Sequence, residues 1–436
     1  MLTKLKNHIA LNFPFLEDKK LLLATSGGID SMVMLHLFQK LNYKIAIAHC
    51  NFQLRGAESD GDQKFIEHYA SENKILIFEV VFDTKKFALD QKLSTQIAAR
   101  ELRYNWFYEL LATENYDYIL TAHHADDTLE TFLINFTRGT GLDGLTGIPA
   151  INEKTIRPLL PFSRLDIENY ANENQIKWRE DSSNATDNYL RNKIRHHLVP
   201  IFKELNPNFL NSFQETSKHL FEAKSLVDDA LFLVYPKVVS EGENQKKINL
   251  NELLKLPNYK AYLYQWLKPF GFTAWEDIYD LVESQSGKQI FSDKFRLIKD
   301  RDYLLISPKK VATQNDIFFI DKNQKEVNFP IKLSFCNVSD ISDVRNSVIF
   351  VDENKLQFPL TIRKWKTADV FQPMGMNGQS KKVSKFFKDE KLSLLDKENI
   401  WLLCSENQII WIIGLRQDER FKIDTTTKNS LQIRFK

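Results

Sequence analysis

The strongest constraint on this chain is an apolar run that stops at a glycine turn and restarts as a helix. Leu21-Leu22-Leu23-Ala24-Thr25 reads as a buried strand and Ser26-Gly27-Gly28 ends it. Met32, Leu35, Leu37, Phe38 and Leu41 then follow at helical spacing. The alternation continues, with strands predicted at 44–50, 75–82 and 116–122 and helices at 59–73, 95–114 and 126–136. Strand–helix alternation builds a mostly parallel sheet covered on both faces, and ligands sit at the carboxyl ends of its strands. The glycine turn is therefore well placed for a site.

At 436 residues the chain is long enough for several cores. A boundary is expected near Pro207. The predicted division is an α/β domain at 1–210, a helix-rich domain at 211–310, and a linker with a small α+β domain at 311–436. Hydrophobic residues at 43% and charged residues at 27% exclude wholesale disorder. No apolar run is long enough to cross a bilayer, and the first twenty residues lack a signal-peptide pattern, so no membrane partner is expected. Cys50, Cys336 and Cys404 form no CxxC pair, which suits a reducing cytoplasm. With 59 basic and 57 acidic residues the net charge is only +2, so any nucleic acid must be held by local patches.

Ser26-Gly27-Gly28-Ile29-Asp30-Ser31 is neither a Walker A loop nor GxGxxG. Its glycines let backbone N–H groups approach an anion, and the helix start adds unpaired donors. No lysine is present to meet a γ-phosphate, so pyrophosphate held as one unit is the more natural ligand. Asp30 cannot attract phosphate by its own charge, and a bridging Mg²⁺ is its sensible role. Farther on, His123-His124-Ala125-Asp126-Asp127-Thr128-Leu129-Glu130-Thr131 runs from the fourth strand into a helix. Asp127 and Glu130 share a helical face and suit an ammonium group, and one of them could take its proton. Helix capping and metal binding remain alternatives at this point.

SGGIDS resembles the PP-loop of the ATP pyrophosphatase family, and the other motifs resemble one branch of it, the tRNA(Ile)-lysidine synthetases. His49-Cys50-Asn51-Phe52-Gln53-Leu54-Arg55 is similar to that family's HxNHxLR, with Phe52 where the pattern has His. A solvated place is favoured for Arg55. Ala98 to Tyr104 resembles its AREARY helix, and the 123–131 segment its HHxxDxxET. Arg138 to Leu142, Arg157 to Leu160, Asp181-Ser182-Ser183-Asn184, Arg191 to Arg195, Asn206-Pro207 and several tail segments add to the likeness.

The resemblance implies a PP-loop (adenine nucleotide alpha hydrolase-like) N-terminal domain that uses ATP and Mg²⁺. It implies cofactor contacts at Ser26, Gly27, Gly28, Ile29, Asp30 and Ser31, with the metal at Asp30. Catalytic roles fall to Asp30, Arg103, Asp127 and Glu130. Substrate contacts fall to His123, Arg100, Arg191, Arg195, Asp127 and Glu130. Lys381, Lys382, Lys385 and Lys388, at helical spacing around Phe386 and Phe387, read as a phosphate-binding stripe or a solvated face. The implied partners are free L-lysine and the CAU-anticodon isoleucine tRNA, with a homodimer left open. A PP-loop tRNA thiolase and a non-catalytic nucleotide-dependent tRNA-binding protein are the competing readings. The cysteines give the thiolase no sulfur-carrying pair.

Overall fold

The computed structural model describes residues 1–180, 187, 190–242, 245–309, 317–338 and 347–436. The Asp181 to Asn184 motif lies outside the described residues. Two compact units are present, Met1–Asp229 and Ala230–Lys436.

The first unit is built from α1 (Leu2–Asn12), β1 (Lys20–Ala24), α2 (Ile29–Lys40), β2 (Lys44–Asn51), α3 (Ala57–Asn73) and β3 (Leu76–Val81). It continues with α4 (Thr84–Gln91), α5 (Thr95–Thr113), β4 (Tyr118–Leu120), α6 (Ala125–Thr137), α7 (Leu142–Leu145), β5 (Ile151–Asn152), β6 (Thr155–Ile156) and α8 (Arg164–Glu173). Among the described residues these strands form a six-stranded sheet of order β3-β2-β1-β4-β6-β5. All neighbours pair in parallel except β5 with β6.

Alternation along β1 explains the two-sided packing. Leu21 and Leu23 join a core with α1, α2 and α8, while Leu22 faces the opposite way into a core with Phe107, Leu110 and Leu111 of α5. Both layers exclude water from the central strand, as a parallel sheet requires. The chain leaves β1 toward β2 on one side and returns to β4 on the other. The crevice beyond the ends of β1 and β4 is therefore a topological switch point, where ligands bind in open α/β sheets.

The second unit, with the end of the long helix Phe209–Val238, contains two larger sheets. One is an antiparallel five-stranded sheet over 239–308 with helices Tyr259–Leu267 and Trp275–Glu283 against it. Its strands Val239–Gly242 and Gln245–Asn249 go beyond the helix-rich reading of this region. They are short and polar, so hydropathy gives them little alternation. The other, strand order Phe318–Ile320, Leu360–Lys364, Trp401–Ser405, Gln408–Ile412 and Arg416–Gln417, encloses the β-rich C-terminal core. No described helix is long and apolar enough to cross a membrane.

Candidate active site

The phosphate loop is set by backbone conformation first. Gly27 has φ +86°, the left-handed region that a side chain disfavours. Gly28 then acts as the N-cap of α2 without a side-chain cap, so the first N–H groups of that helix remain for a ligand. The two serines stiffen the turn. Ser31 Oγ donates to the Gly28 carbonyl at 2.9 Å and accepts from the Ser26 N–H at 3.2 Å. From behind, the Arg179 N–H donates to the Gly27 carbonyl at 2.9 Å. The Arg179 side chain is in turn held by Asp62 at 2.5 Å. Asp62 also accepts from Arg55 at 2.8 Å, so Arg55 is committed to a partner rather than to solvent.

Facing the loop across the switch point is the start of α6. The Asp127 carboxylate accepts the His124 N–H at 3.1 Å, one half of a helix-capping arrangement. Asp126 is structural, accepting from the Arg164 N–H at 2.8 Å and the Lys203 ammonium at 3.0 Å. The buried His124 ring lies between three carboxylates, 3.7 Å from Asp30, 3.5 Å from Asp127 and 3.7 Å from Asp126. Burial alone would lower its pKa, but the acids around it prevail and raise it. The same attraction, chiefly from His124, outweighs burial at Asp127 and holds its carboxyl below the usual range.

Asp30 and Glu130 both carry arginine partners. Arg164 Nη1 donates to both oxygens of Asp30 at 2.8 Å. Glu130, only 1% exposed, receives Arg195 in a two-point contact of 2.6 and 3.0 Å, with Arg191 Nε at 3.6 Å. Burial still outweighs these cations and raises the Glu130 pKa. His123 bonds Thr121 Oγ1 at 2.9 Å, and burial, aided by nearby arginines, lowers its pKa to about 4, so the ring is neutral.

These elements enclose a cleft of about 310 Å³. Ser26, Asp30, Ser31, Arg103, His123, Asp127 and Arg191 all line it. Gly27, Gly28, Ile29, Glu130, Arg195 and Arg100 are not among its lining residues. The two arginines of α5 separate. Arg103 is set into the cleft wall, while Arg100 is exposed and lies over the Tyr104 ring at 4.8 Å. Cys50 also lines the cleft, its thiol pushed up to about 12 by burial.

Among the described residues no group of three or more His, Cys, Asp or Glu side chains is arranged so that it could hold a metal ion by itself. The donors instead fit a Mg²⁺ delivered on nucleotide phosphates, which needs only one or two carboxylates from protein. Asp30 is the carboxylate on the loop itself, and both its oxygens are engaged by Arg164.

In the second unit, Lys381 and Lys382 lie on a two-residue strand that pairs with Val370–Phe371, ahead of the helix Val383–Asp389. Lys381 is bound to Asp389 at 2.7 Å, whereas Lys382, Lys385 and Lys388 are exposed over a buried Phe386–Phe387 pair. Sequence reasoning missed Arg164, Asp62, Arg179 and the central place of His124. The first three act through partners distant in sequence and carry no local pattern. The doubled His beside two Asp was the available signal for the fourth.

Comparison with known proteins adds a separate line. A PP-loop domain model matches residues 1–202, a TilS substrate binding domain model residues 241–309, and a TilS substrate C-terminal domain model residues 360–434. The chain is 37% identical over 425 residues to a tRNA(Ile)-lysidine synthase of Parabacteroides distasonis, covering 96% of each. It is 30% identical over 434 residues to that of Bacillus subtilis, covering 92% of this chain and 91% of the relative. Among solved structures, the U34-tRNA thiolase NcsA from Methanococcus maripaludis aligns with TM-score 0.43 at 19% identity, over 51% of this chain and 78% of that one. A TILS C-terminal domain aligns with TM-score 0.25 at 16% identity, over 28% of this chain and 97% of that one.

Proposed function

Since the chain belongs to the tRNA(Ile)-lysidine synthase family and is an ATP-using ligase, we propose that it joins free L-lysine to the 2-position of the wobble cytidine in the CAU-anticodon isoleucine tRNA. The observation that carries this reading is the single cleft that unites Ser26 and Ser31 with Asp127, Arg103 and Arg191. A diphosphate grip and an amine-binding acid thus meet at one point.

In the first step the cytidine 2-carbonyl oxygen attacks the α-phosphate of ATP and pyrophosphate leaves. The α2 N-terminus and the two serines hold the pyrophosphate, and Arg103 answers the charge that builds on the α-phosphate. Asp30 would hold Mg²⁺ once Arg164 yields one of its two contacts, and the cation would neutralise phosphate charge there. In the second step an amine of lysine attacks the activated ring carbon and AMP leaves. Free lysine carries two ammonium groups and a carboxylate. Asp127 and Glu130 match the first kind of charge, and Arg191 and Arg195 match the second. Asp127 is the group in the cleft that takes the proton from the attacking nitrogen. Lysine can meet Glu130 only by displacing Arg195, and Asp127 is therefore the primary contact.

The wobble base must leave its stack to reach this cleft, as substrates of base-modifying enzymes do. Residues 211–310 and 311–436 are assigned to gripping the tRNA, with Lys382, Lys385 and Lys388 on its phosphates and Lys381 beside them. The product pairs with A instead of G, which moves decoding from AUG to AUA, and the work is cytoplasmic. The test is mass spectrometry of nucleosides from this tRNA after incubation with ATP and isotopically labelled lysine. A cytidine heavier by one lysine less one water, carrying the label, is expected. Pyrophosphate release with no label in the nucleoside would overturn the reading.

A further inference from the structure

Among the described residues Arg103 is a cation without an acid. No described carboxylate takes its guanidinium, although it is set into the cleft wall. The neighbouring thiol of Cys50 keeps its proton and offers no compensating charge. What faces the guanidinium is a ring: Arg103 Cζ lies 5.2 Å from the centroid of Phe52.

That ring is itself held. The Phe52 carbonyl accepts from Thr84 Oγ1 at 2.9 Å, and next to it the Asn51 carbonyl accepts the Phe82 N–H at 2.8 Å. The Phe82 ring stacks on Phe52 with centroids 5.8 Å apart and planes 25° from parallel. Phe82, Phe52 and Arg103 thus form layers that join the ends of β2 and β3 to α5. A carboxylate in the place of Phe52 would also fix the arginine, but it would cancel the charge. An aromatic face orients a guanidinium and leaves its positive charge for another anion.

We propose that Phe52 is the positioning residue for Arg103, holding the guanidinium toward the cleft through its π face so that the charge stays available to the reacting phosphate. This gives the phenylalanine a purpose at the one position where the HxNHxLR resemblance fails. The inference rests on the reading that Arg103 serves the adenylation step.

The experiment replaces Phe52 with mono-, di- and trifluorophenylalanine, which keep the ring's shape and progressively weaken its π face. Pyrophosphate release with isoleucine tRNA and lysine gives kcat and KM for ATP, and thermal melting monitors folding. The logarithm of kcat/KM should fall steadily with each fluorine, by roughly three- to thirty-fold in total, at unchanged Tm. Phe52→Tyr should stay close to the parent, and Phe52→Leu should fall to the trifluoro level. A trifluoro protein as active as the parent would refute the proposal, as would Phe52→Leu matching Phe52→Tyr. Arg103→Gln separates the two levels. If it turns over normally, the role of Arg103 and that of Phe52 both fall. If it is inactive while the fluorine series is flat, only the role of Phe52 falls.

Discussion

Asp127 and Glu130 sit one turn apart on α6 but meet different surroundings. Asp127 lines the cleft, its carboxyl held ionised chiefly by His124, while Glu130 is buried under Arg195. Asp127→Asn keeps the shape and the bond from the His124 N–H but removes the charge. It should raise KM for lysine by about ten- to a hundred-fold, the loss of one charge-assisted hydrogen bond, and leave KM for ATP nearly unchanged. Steady-state kinetics with each substrate varied in turn makes the comparison, and equal losses for both substrates would assign Asp127 to the nucleotide. The sequence made this residue visible because it lies next to a strand end and its helical neighbours are local. Arg164 was not visible in the same way. It is separated from Asp30 by 134 residues, and no periodicity links two side chains that meet only after the sheet has closed. Arg179 and Asp62 were hidden for the same reason, since they brace the glycine turn across a separation of 117 residues.

Whole elements were easier to read where burial was continuous. The β1–α2 unit and the α5 and α6 helices followed directly from hydrophobic spacing. Spacing alone misled at 381–388, where lysines at helical intervals straddle a strand and a helix. Of these, the three exposed lysines should act on tRNA as point charges. Replacing Lys382, Lys385 and Lys388 together by Ala should reduce the salt slope of tRNA binding by roughly two to three, measured by filter binding across salt concentrations. An unchanged slope would mark the stripe as a solvated face. Another element-level test lies on β3. Burial, with the Glu67 carboxylate beside it, raises the Glu79 pKa from its ordinary 4.5 to about 7. A raised carboxyl pKa contributes stability that is full below pH 4.5 and lost as pH rises through about 7. Melting temperatures of the parent should therefore decline across that window relative to Glu79→Gln, followed by circular dichroism at stepped pH. Parallel curves for the two proteins would show that Glu79 titrates normally.

At the scale of the molecule, the second unit contains an internal joint. Arg296, buried in the strand Phe295–Asp300, makes a two-point contact of 2.9 and 2.6 Å with Glu398 and a further bond of 3.1 Å to Ser307. Ile298 and Leu305 pack with Leu395 alongside it. The joint thus ties the segment matched by the substrate binding domain model to the one matched by the C-terminal domain model. Glu398→Gln should leave the arginine partly uncompensated and cost about 2 kcal/mol, below the range for fully buried pairs because Glu398 is 31% exposed. Scanning calorimetry should show the unit's transition shifting down and splitting, and an unaltered transition would make the pair incidental. In the first unit, the reversal of strand order between β1 and β4 has a longer reach. The turn proposed to grip the leaving group and the helix proposed to receive the nucleophile belong to separate crossovers, and their tips meet at the switch point. If those roles hold, substitutions deeper along either crossover could retune the accepted amine or the phosphate grip separately, with the His124 ring between Asp30 and Asp127 as the point where the two are joined.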